Sequence, residues 1–275
     1  MKTSILFVFV FFIFNEVNSN ELQCYNKFEF FDITNCLPPN YVKDGSVDYT
    51  EFIQKGLNDF SNVIMPDFPI LINESGLKIK SNSHIYFKDN SKVVTKSNSL
   101  NFFATIWLLD VKNVIIDNLV LVGNRDKYFG GKGEWGFGIY IDKSDNITIN
   151  NSKISNCWGD GIYIGGGSKP STNVFINKVN IFSNRRNGIT ITNGENVHII
   201  DSYISTSNGT PPMAGLCIEP NNKNNSINNI KIYNLNTYNN TNYGIVINLN
   251  KLLSVELLTL LGQKVKHKKL TFVKV

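Results

Sequence analysis

One short phrase recurs five times between residues 138 and 248: Gly138-Ile139-Tyr140-Ile141, Gly161-Ile162-Tyr163-Ile164, Gly188-Ile189-Thr190-Ile191, Gly215-Leu216-Cys217-Ile218 and Gly244-Ile245-Val246-Ile247. Its glycines stand 23, 27, 27 and 29 residues apart. A second phrase, Asn-aliphatic-x-Ile, interleaves with it at Asn113, Asn146, Asn173, Asn196 and Asn229. Each phrase alternates aliphatic and other residues, the period of a strand with one buried face. A unit this short cannot bury that face alone and must stack on its neighbours. Two or three strands per ~25 residues, bent at Gly and Asn, describe one coil of a parallel β-helix.

The termini and the charge limit the function classes. Lys2 precedes an apolar run from Ile5 to Phe14, and a small residue, Ser19, follows. Residues 1–19 therefore read as a secretory signal, too short for a membrane span. The expected location is outside the cell or in a periplasm, with no membrane span in the mature chain. Of the formal net charge of +5, all is accounted for by residues 251–275, which hold six lysines and one acid, Glu256. No basic stripe is left for nucleic acid. Cys24 and Cys36 lie in a loop-rich segment where an exported protein permits a disulfide. Cys157 and Cys217 read as buried free thiols.

Residues 20–60 read as a cap. Within them Phe52, Ile53, Leu57 and Phe60 have helical spacing, and Thr50 or Asp48 is able to cap the helix start. A plug of this kind covers the open edge of the first coil. Coils are then expected from 61 to 250. In the tail, 251–275, Leu252 to Leu261 runs aliphatic without the Gly and Asn punctuation and a lysine run follows; the tail reads as a cap, a sorting tail, or a truncated or frame-shifted end.

Asp48-x-Thr50-x-x-Ile53-Gln54-Lys55, then Gly76-Leu77-Lys78-Ile79-Lys80, then the stacked phrases, resemble the pectin-lyase-like superfamily of right-handed parallel β-helices, and within it the polygalacturonase-like branch. The resemblance covers roughly residues 45–250. It implies an all-β, single-stranded right-handed solenoid that hydrolyses, eliminates or epimerises sugar units of an acidic or complex polysaccharide in a groove beside one sheet. The chain departs from that branch in its motifs. The residues before the repeat glycines are Phe137, Asp160, Asn187, Ala214 and Tyr243, so only Asp160 supplies an acid, and the paired Asp and the His are absent.

Strand geometry decides which side chains share a face. Asp142 and Glu219 share an outward column three coils apart, roughly 14 Å at about 4.8 Å per coil, too far for a glycosidase pair. Glu134 and Asp160 precede strands on adjacent coils and could meet at one mouth; Glu219 points to the same side. These three are the expected acid–base residues. Trp135 and Trp158 share a register and would form a sugar platform, with Tyr140 and Tyr163 outward beside them. Arg185, Arg186 and Arg125 would hold the carboxylates of an acidic sugar; in a lyase they would also stabilise the enolate-like intermediate. No cofactor is expected, except that a lyase would recruit Ca²⁺ through carboxylates, although no calcium motif is visible. The leading expectation is an exported, monomeric hydrolase or lyase of an acidic polysaccharide. The alternatives are a non-catalytic surface or binding β-helix and a truncated inactive relative.

Overall fold

The repeats fold as the alternation requires. The structure, a computed structural model, describes residues 29–252 except 132, together with the strands Leu258–Leu261, Lys264–Lys266 and Leu270–Val273. The expected signal segment and Cys24 lie outside the described residues, so of the Cys24–Cys36 pair only Cys36 is described; it lies against the helix Thr50–Asp59.

Every strand pairing is parallel, and strands of successive coils add to three sheets. The first sheet runs from Phe31–Asp32 to Leu258–Leu261 and holds the Asn-aliphatic-x-Ile strands. The second runs from Pro69–Ile72 to Lys264–Lys266. The third carries the Gly-Ile-x-Ile strands, from Leu77–Lys78 through Phe102–Leu109, Trp135–Asp142, Ile162–Ile164, Ile189–Ile191, Ala214–Ile218 and Tyr243–Asn248 to Leu270–Val273. This is a right-handed parallel β-helix, the hand that strand–crossover–strand connections take. The sheets continue past residue 250, where the sequence reading ended the coils: the three strands of the tail add one rung to each sheet.

The interior is an aliphatic stack along the solenoid axis, with Ile139, Ile162, Ile189, Leu216 and Ile245 one above another and fully buried. The repeat glycine has a steric cause. A Cβ on Gly138 would lie 2.5 Å from the carbonyl oxygen of Gly161, and one on Gly161, Gly188 or Gly215 would stand 2.6–2.8 Å from the next glycine's carbonyl. The coil-to-coil approach leaves no room for a side chain there.

The asparagine phrases have a different cause. Asn82, Asn113, Asn146, Asn173, Asn196 and Asn229 all adopt φ between 50 and 60°, a conformation Asn tolerates better than most residues. Their amides form a ladder: Asn113 Nδ2 donates to Asn82 Oδ1 (2.8 Å), Asn146 to Asn113 (2.9 Å), Asn196 to Asn173 (3.2 Å) and Asn229 to Asn196 (2.6 Å). The sequence reading took these columns as structural, and the bonds agree.

Helix α1, Thr50–Asp59, plugs the first coil with Ile53 and Leu57 buried in the core. Tyr49 occupies the N-cap position without a side-chain cap bond, so neither Thr50 nor Asp48 caps the helix as its sequence suggests; Asp48 Oδ1, one residue earlier, accepts from the Thr50 amide and hydroxyl at 3.1 and 2.6 Å. Among the described residues no helix is long and apolar enough to cross a membrane.

Candidate active site

On the third sheet the outward column of the repeats is Trp107, Tyr140, Tyr163, Thr190, Cys217 and Val246, in register coil by coil. This column floors a groove that runs along the solenoid. Two contiguous hollows of about 470 and 430 Å³ make it up, and both are walled by Glu134, Arg186 and Glu219. Aromatic rings line one end. The Pro211–Pro212 loop, Cys217 and Tyr243 line the other.

Arg186 stands where the halves meet. Its Nη1 donates to Asp160 Oδ2 at 3.0 Å, its Nε lies 3.3 Å from Glu134 Oε2, and its Nη2 lies 4.0 Å from Glu219 Oε2. The Nε contact is a charge contact out of hydrogen-bond line, so that donor has no hydrogen-bond partner in the protein. One guanidinium thus gathers all three expected acids. They come from three different coils, and the gathering depends on the reach of the arginine side chain over two coils toward Glu134.

The acids are not equivalent. Asp160 is 0 % exposed, and both its oxygens are taken, one by Arg186 and the other by the Asn187 amide at 2.9 Å. Burial pushes its carboxyl up, against the pull of the Arg186 charge and of hydrogen bonds from its neighbours. The same burial would lower Arg186, but the surrounding carboxylates, Asp160 foremost, raise it well above the ordinary arginine value, so the guanidinium keeps its charge. Asp160 therefore cannot reach a substrate, and the sequence-based expectation of an acid–base role is corrected: it holds Arg186. Glu134 and Glu219 are each about one-third exposed in the groove.

Beneath them Asn187 extends the buried network. Its Oδ1 accepts from the Ala214 amide and its Nδ2 donates to the Thr190 hydroxyl, both at 2.9 Å. Cys217 is buried in the floor, its thiol 3.7 Å from Glu219 Oε2, and burial with the neighbouring Glu219 charge pushes it far up, leaving an inert thiol. Cys157 is likewise buried and its thiol raised by burial.

Three expected substrate contacts are otherwise engaged. Arg125 Nη1 donates to the Ser183 and Asn184 carbonyls at 2.9 and 3.4 Å, tying coils together. Arg185 Nη1 donates to the Gly133 carbonyl at 2.6 Å, and its guanidinium lies 3.8 Å from the Trp158 ring centroid. Trp158 also stacks on Tyr128, centroids 3.9 Å apart at 21°. Two planar groups so close must occupy opposite faces, so Trp158 has no free face for a sugar and does not pair with Trp135. Trp135 does stand in the groove, and its neighbour in register is Phe102. Tyr140 and Tyr163 lie parallel, 5.3 Å apart at 4°, and present edges rather than faces. The Tyr163 hydroxyl accepts from Asn221 Nδ2 at 3.2 Å.

Phe102, Asn187 and Asn221 were missed by sequence reasoning. Phe102 belongs to a coil without the glycine phrase, and the asparagines resemble the bend residues around them. The three carboxylates all face the Arg186 guanidinium, and among the described residues no group of His, Cys, Asp and Glu side chains is arranged to hold a metal ion.

Known proteins agree on the architecture. The family model described as "Right handed beta helix region" matches residues 137–257. The uncharacterized protein YclG of Bacillus subtilis (strain 168) is 27% identical over 210 residues, covering 64% of this chain and 36% of YclG, so the chain spans about a third of that relative's length. PfbA, a surface adhesin of Streptococcus pneumoniae, superposes with a TM-score of 0.65 at 15% identity, covering 86% of this chain and 63% of PfbA. The tailspike protein gp49 of Acinetobacter baumannii bacteriophage Fri1, a capsular polysaccharide depolymerase, superposes with a TM-score of 0.60 at 15% identity, covering 88% of this chain and 51% of gp49.

Proposed function

From a right-handed β-helix of pectin-lyase-like architecture, we propose a secreted protein that hydrolyses a glycosidic bond in its groove, with Glu134 and Glu219 as the acid–base pair. The observation that carries this reading is the placement of two glutamates, each about one-third exposed, against one buried, charge-locked arginine where the two hollows of the groove meet. Both carboxylates touch the same guanidinium, which confines their separation to about 10 Å or less; glycoside hydrolases use about 5 to 9.5 Å. One glutamate would protonate the glycosidic oxygen as its bond to the anomeric carbon breaks. The other would take the proton of the attacking water.

Hydrolysis is favoured over elimination because elimination needs a cation against the uronate carboxylate to stabilise the enolate-like intermediate. Arg125 and Arg185 are bonded to backbone carbonyls, and Arg186 already faces three carboxylates. Among the described residues, the two partly open carboxylates at the groove centre, Glu134 and Glu219, share the one guanidinium of Arg186 that faces the groove, already held by the buried Asp160, so that a uronate there would meet more negative than positive charge. We accordingly assign the groove an uncharged sugar at the cleavage point. The likeness to a capsular polysaccharide depolymerase supports a glycan substrate, and the likeness to a surface adhesin keeps binding without cleavage as the competing reading.

The test incubates the full chain with neutral and uronic polysaccharides and follows reducing ends alongside the ultraviolet absorbance of an unsaturated product. Reducing ends without that absorbance are expected on a neutral glycan. Glu134→Gln and Glu219→Gln should each lower kcat by roughly 10²–10⁴-fold with folding intact. Unsaturated product would sink the hydrolase reading. Binding without any cleavage would return the protein to the non-catalytic class.

A further inference from the structure

The acid pair occupies only the middle of the groove, and its two ends differ. At one end Phe102 and Trp135 are direct neighbours on successive coils, each 49% exposed, whereas Tyr140 and Tyr163 on the same sheet are buried. Exposed aromatic surface of this kind costs hydrophobic free energy unless something covers it. Phe102 is not loose: its ring meets Phe137, Tyr140 and Trp107 at centroid distances of 5.7, 5.5 and 5.7 Å. Packing therefore sets its orientation before any ligand arrives. At the other end the aromatic ring, Tyr243, packs on Ala214, Cys217 and Val246, so no comparable open face exists there.

The strand that begins with Trp135 lies two coils from the bend carrying Arg186. At about 4.8 Å per coil that is roughly 10 Å, about the length of two pyranose residues in an extended chain. A pyranose offers a flat apolar C–H face and a polar hydroxyl edge. The groove offers open aromatic faces and, farther along its lining, the exposed Asn221 as a hydrogen-bonding group. A peptide adding as a strand would need an unpaired sheet edge, whereas the strands lining the groove are paired on both sides.

We propose that Phe102 and Trp135 form an aromatic glycan subsite at one end of the groove, stacking on a pyranose beside Glu134 and about two coils from the bend that carries Arg186, so that the protein grips its glycan from one side of the cleavage point. This rests on the reading of the groove as a glycan site, but not on whether a bond is cut there.

Native affinity electrophoresis of the full chain, in gels containing dextran, laminarin, hydroxyethyl cellulose or pectate, tests it. Retardation is expected in at least one uncharged gel. Trp135→Ala should weaken it about tenfold, in line with an aromatic stacking contribution near 1.4 kcal/mol, while Trp135→Phe retains it. Phe102→Leu should act in the same direction, with a thermal melt confirming that each variant folds. Unchanged retardation of a folded Trp135→Ala chain, or no retardation of the unaltered chain in any gel, overturns the proposal. Retardation lost in Trp135→Ala without any bond cleavage by the unaltered chain leaves the subsite standing and sinks the hydrolase reading. Cleavage with Trp135 irrelevant to retention does the reverse.

Discussion

The turn into the first sheet and the turn into the third are built on opposite plans. At the first, six coils put the same residue, Asn, in the same left-handed conformation, and each amide bonds to a neighbouring coil. At the third, the residues before the repeat glycines are Phe137, Asp160, Asn187, Ala214 and Tyr243, no two alike. Yet that irregular column holds the buried network that fixes Arg186. Identical rungs spread a modest stabilisation evenly along the rod. A broken repeat concentrates charge, burial and irreplaceable partners in a single place. In a solenoid, therefore, the column that abandons the repeat is where chemistry is to be sought, provided the fold keeps its glycine in step.

If that contrast is right, the largest stability loss should come from the irregular side. Arg186→Ala leaves the Asp160 carboxyl fully buried without its cation, and breaking one partner of such a pair costs about 3–5 kcal/mol. Denaturant unfolding should show a midpoint shift of that size. Asp160→Asn combined with Arg186→Met should lose markedly less, because no uncompensated charge remains. A loss under about 1 kcal/mol for Arg186→Ala would mean that the network is not what holds this bend.

How far the sequence already contained this contrast follows from the range of the forces involved. Strand alternation and the glycine clash act between neighbouring residues and adjacent coils, so the Gly-Ile-x-Ile register was readable, including the outward positions of Tyr140, Tyr163 and Glu219. The gathering of Glu134, Asp160 and Glu219 was only half readable. Their common side follows from register, but the arginine that spans their coils acts through side-chain reach, which spacing does not encode. Asp160 looked accessible because a bend residue before a strand usually is. The inward packing of its coil removed it from solvent. Trp158 was misassigned for a similar reason, since Tyr128, which covers it, arrives from a loop one coil away with no phrase to announce it. The tail strands Leu258–Leu261, Lys264–Lys266 and Leu270–Val273 carry neither the Gly-Ile-x-Ile nor the Asn-aliphatic-x-Ile phrase, so the repeat pattern did not suggest another coil.

The repetitive side should break gently, and in two separable steps. Asn146 donates to Asn113 at 2.9 Å and sits at φ 55°. Asn146→Gly keeps that backbone conformation within easy reach and removes only the amide rung, a loss of about 0.5–1.5 kcal/mol. Asn146→Ala removes the rung and also places a Cβ in the left-handed region, adding roughly 1–2 kcal/mol. Unfolding midpoints in the order unaltered, Gly, Ala would separate ladder from conformation. Equal losses for the two variants would show that the ladder dominates and backbone strain adds nothing.

The smallest expected effect lies at the edge of the groove, where Asp142 begins to resemble a site residue without joining one. Its Oδ1 accepts from the Gly167 amide at 2.7 Å, which pins the Gly165–Gly167 turn beside Tyr140. Burial raises its carboxyl, Asp110 adds to the rise, and the Gly167 amide and the Lys143 charge only partly oppose it. A carboxyl whose folded value lies above its unfolded one is least unfavourable when protonated. Its contribution is fully present below the unfolded value and is lost as pH rises through the folded one. Asp142→Asn keeps an oxygen for the Gly167 amide and removes the ionisation. The stability of the unaltered chain relative to this variant should therefore fall as pH rises from below the carboxylate range to neutrality, by an amount small beside the Arg186 effect. A difference that stays flat across that range, measured by thermal unfolding at matched ionic strength, would show that the turn tolerates the ionised group freely. Asp142 would then belong with the scaffold, like the asparagines, and the boundary of the irregular region would be drawn one column closer to Arg186.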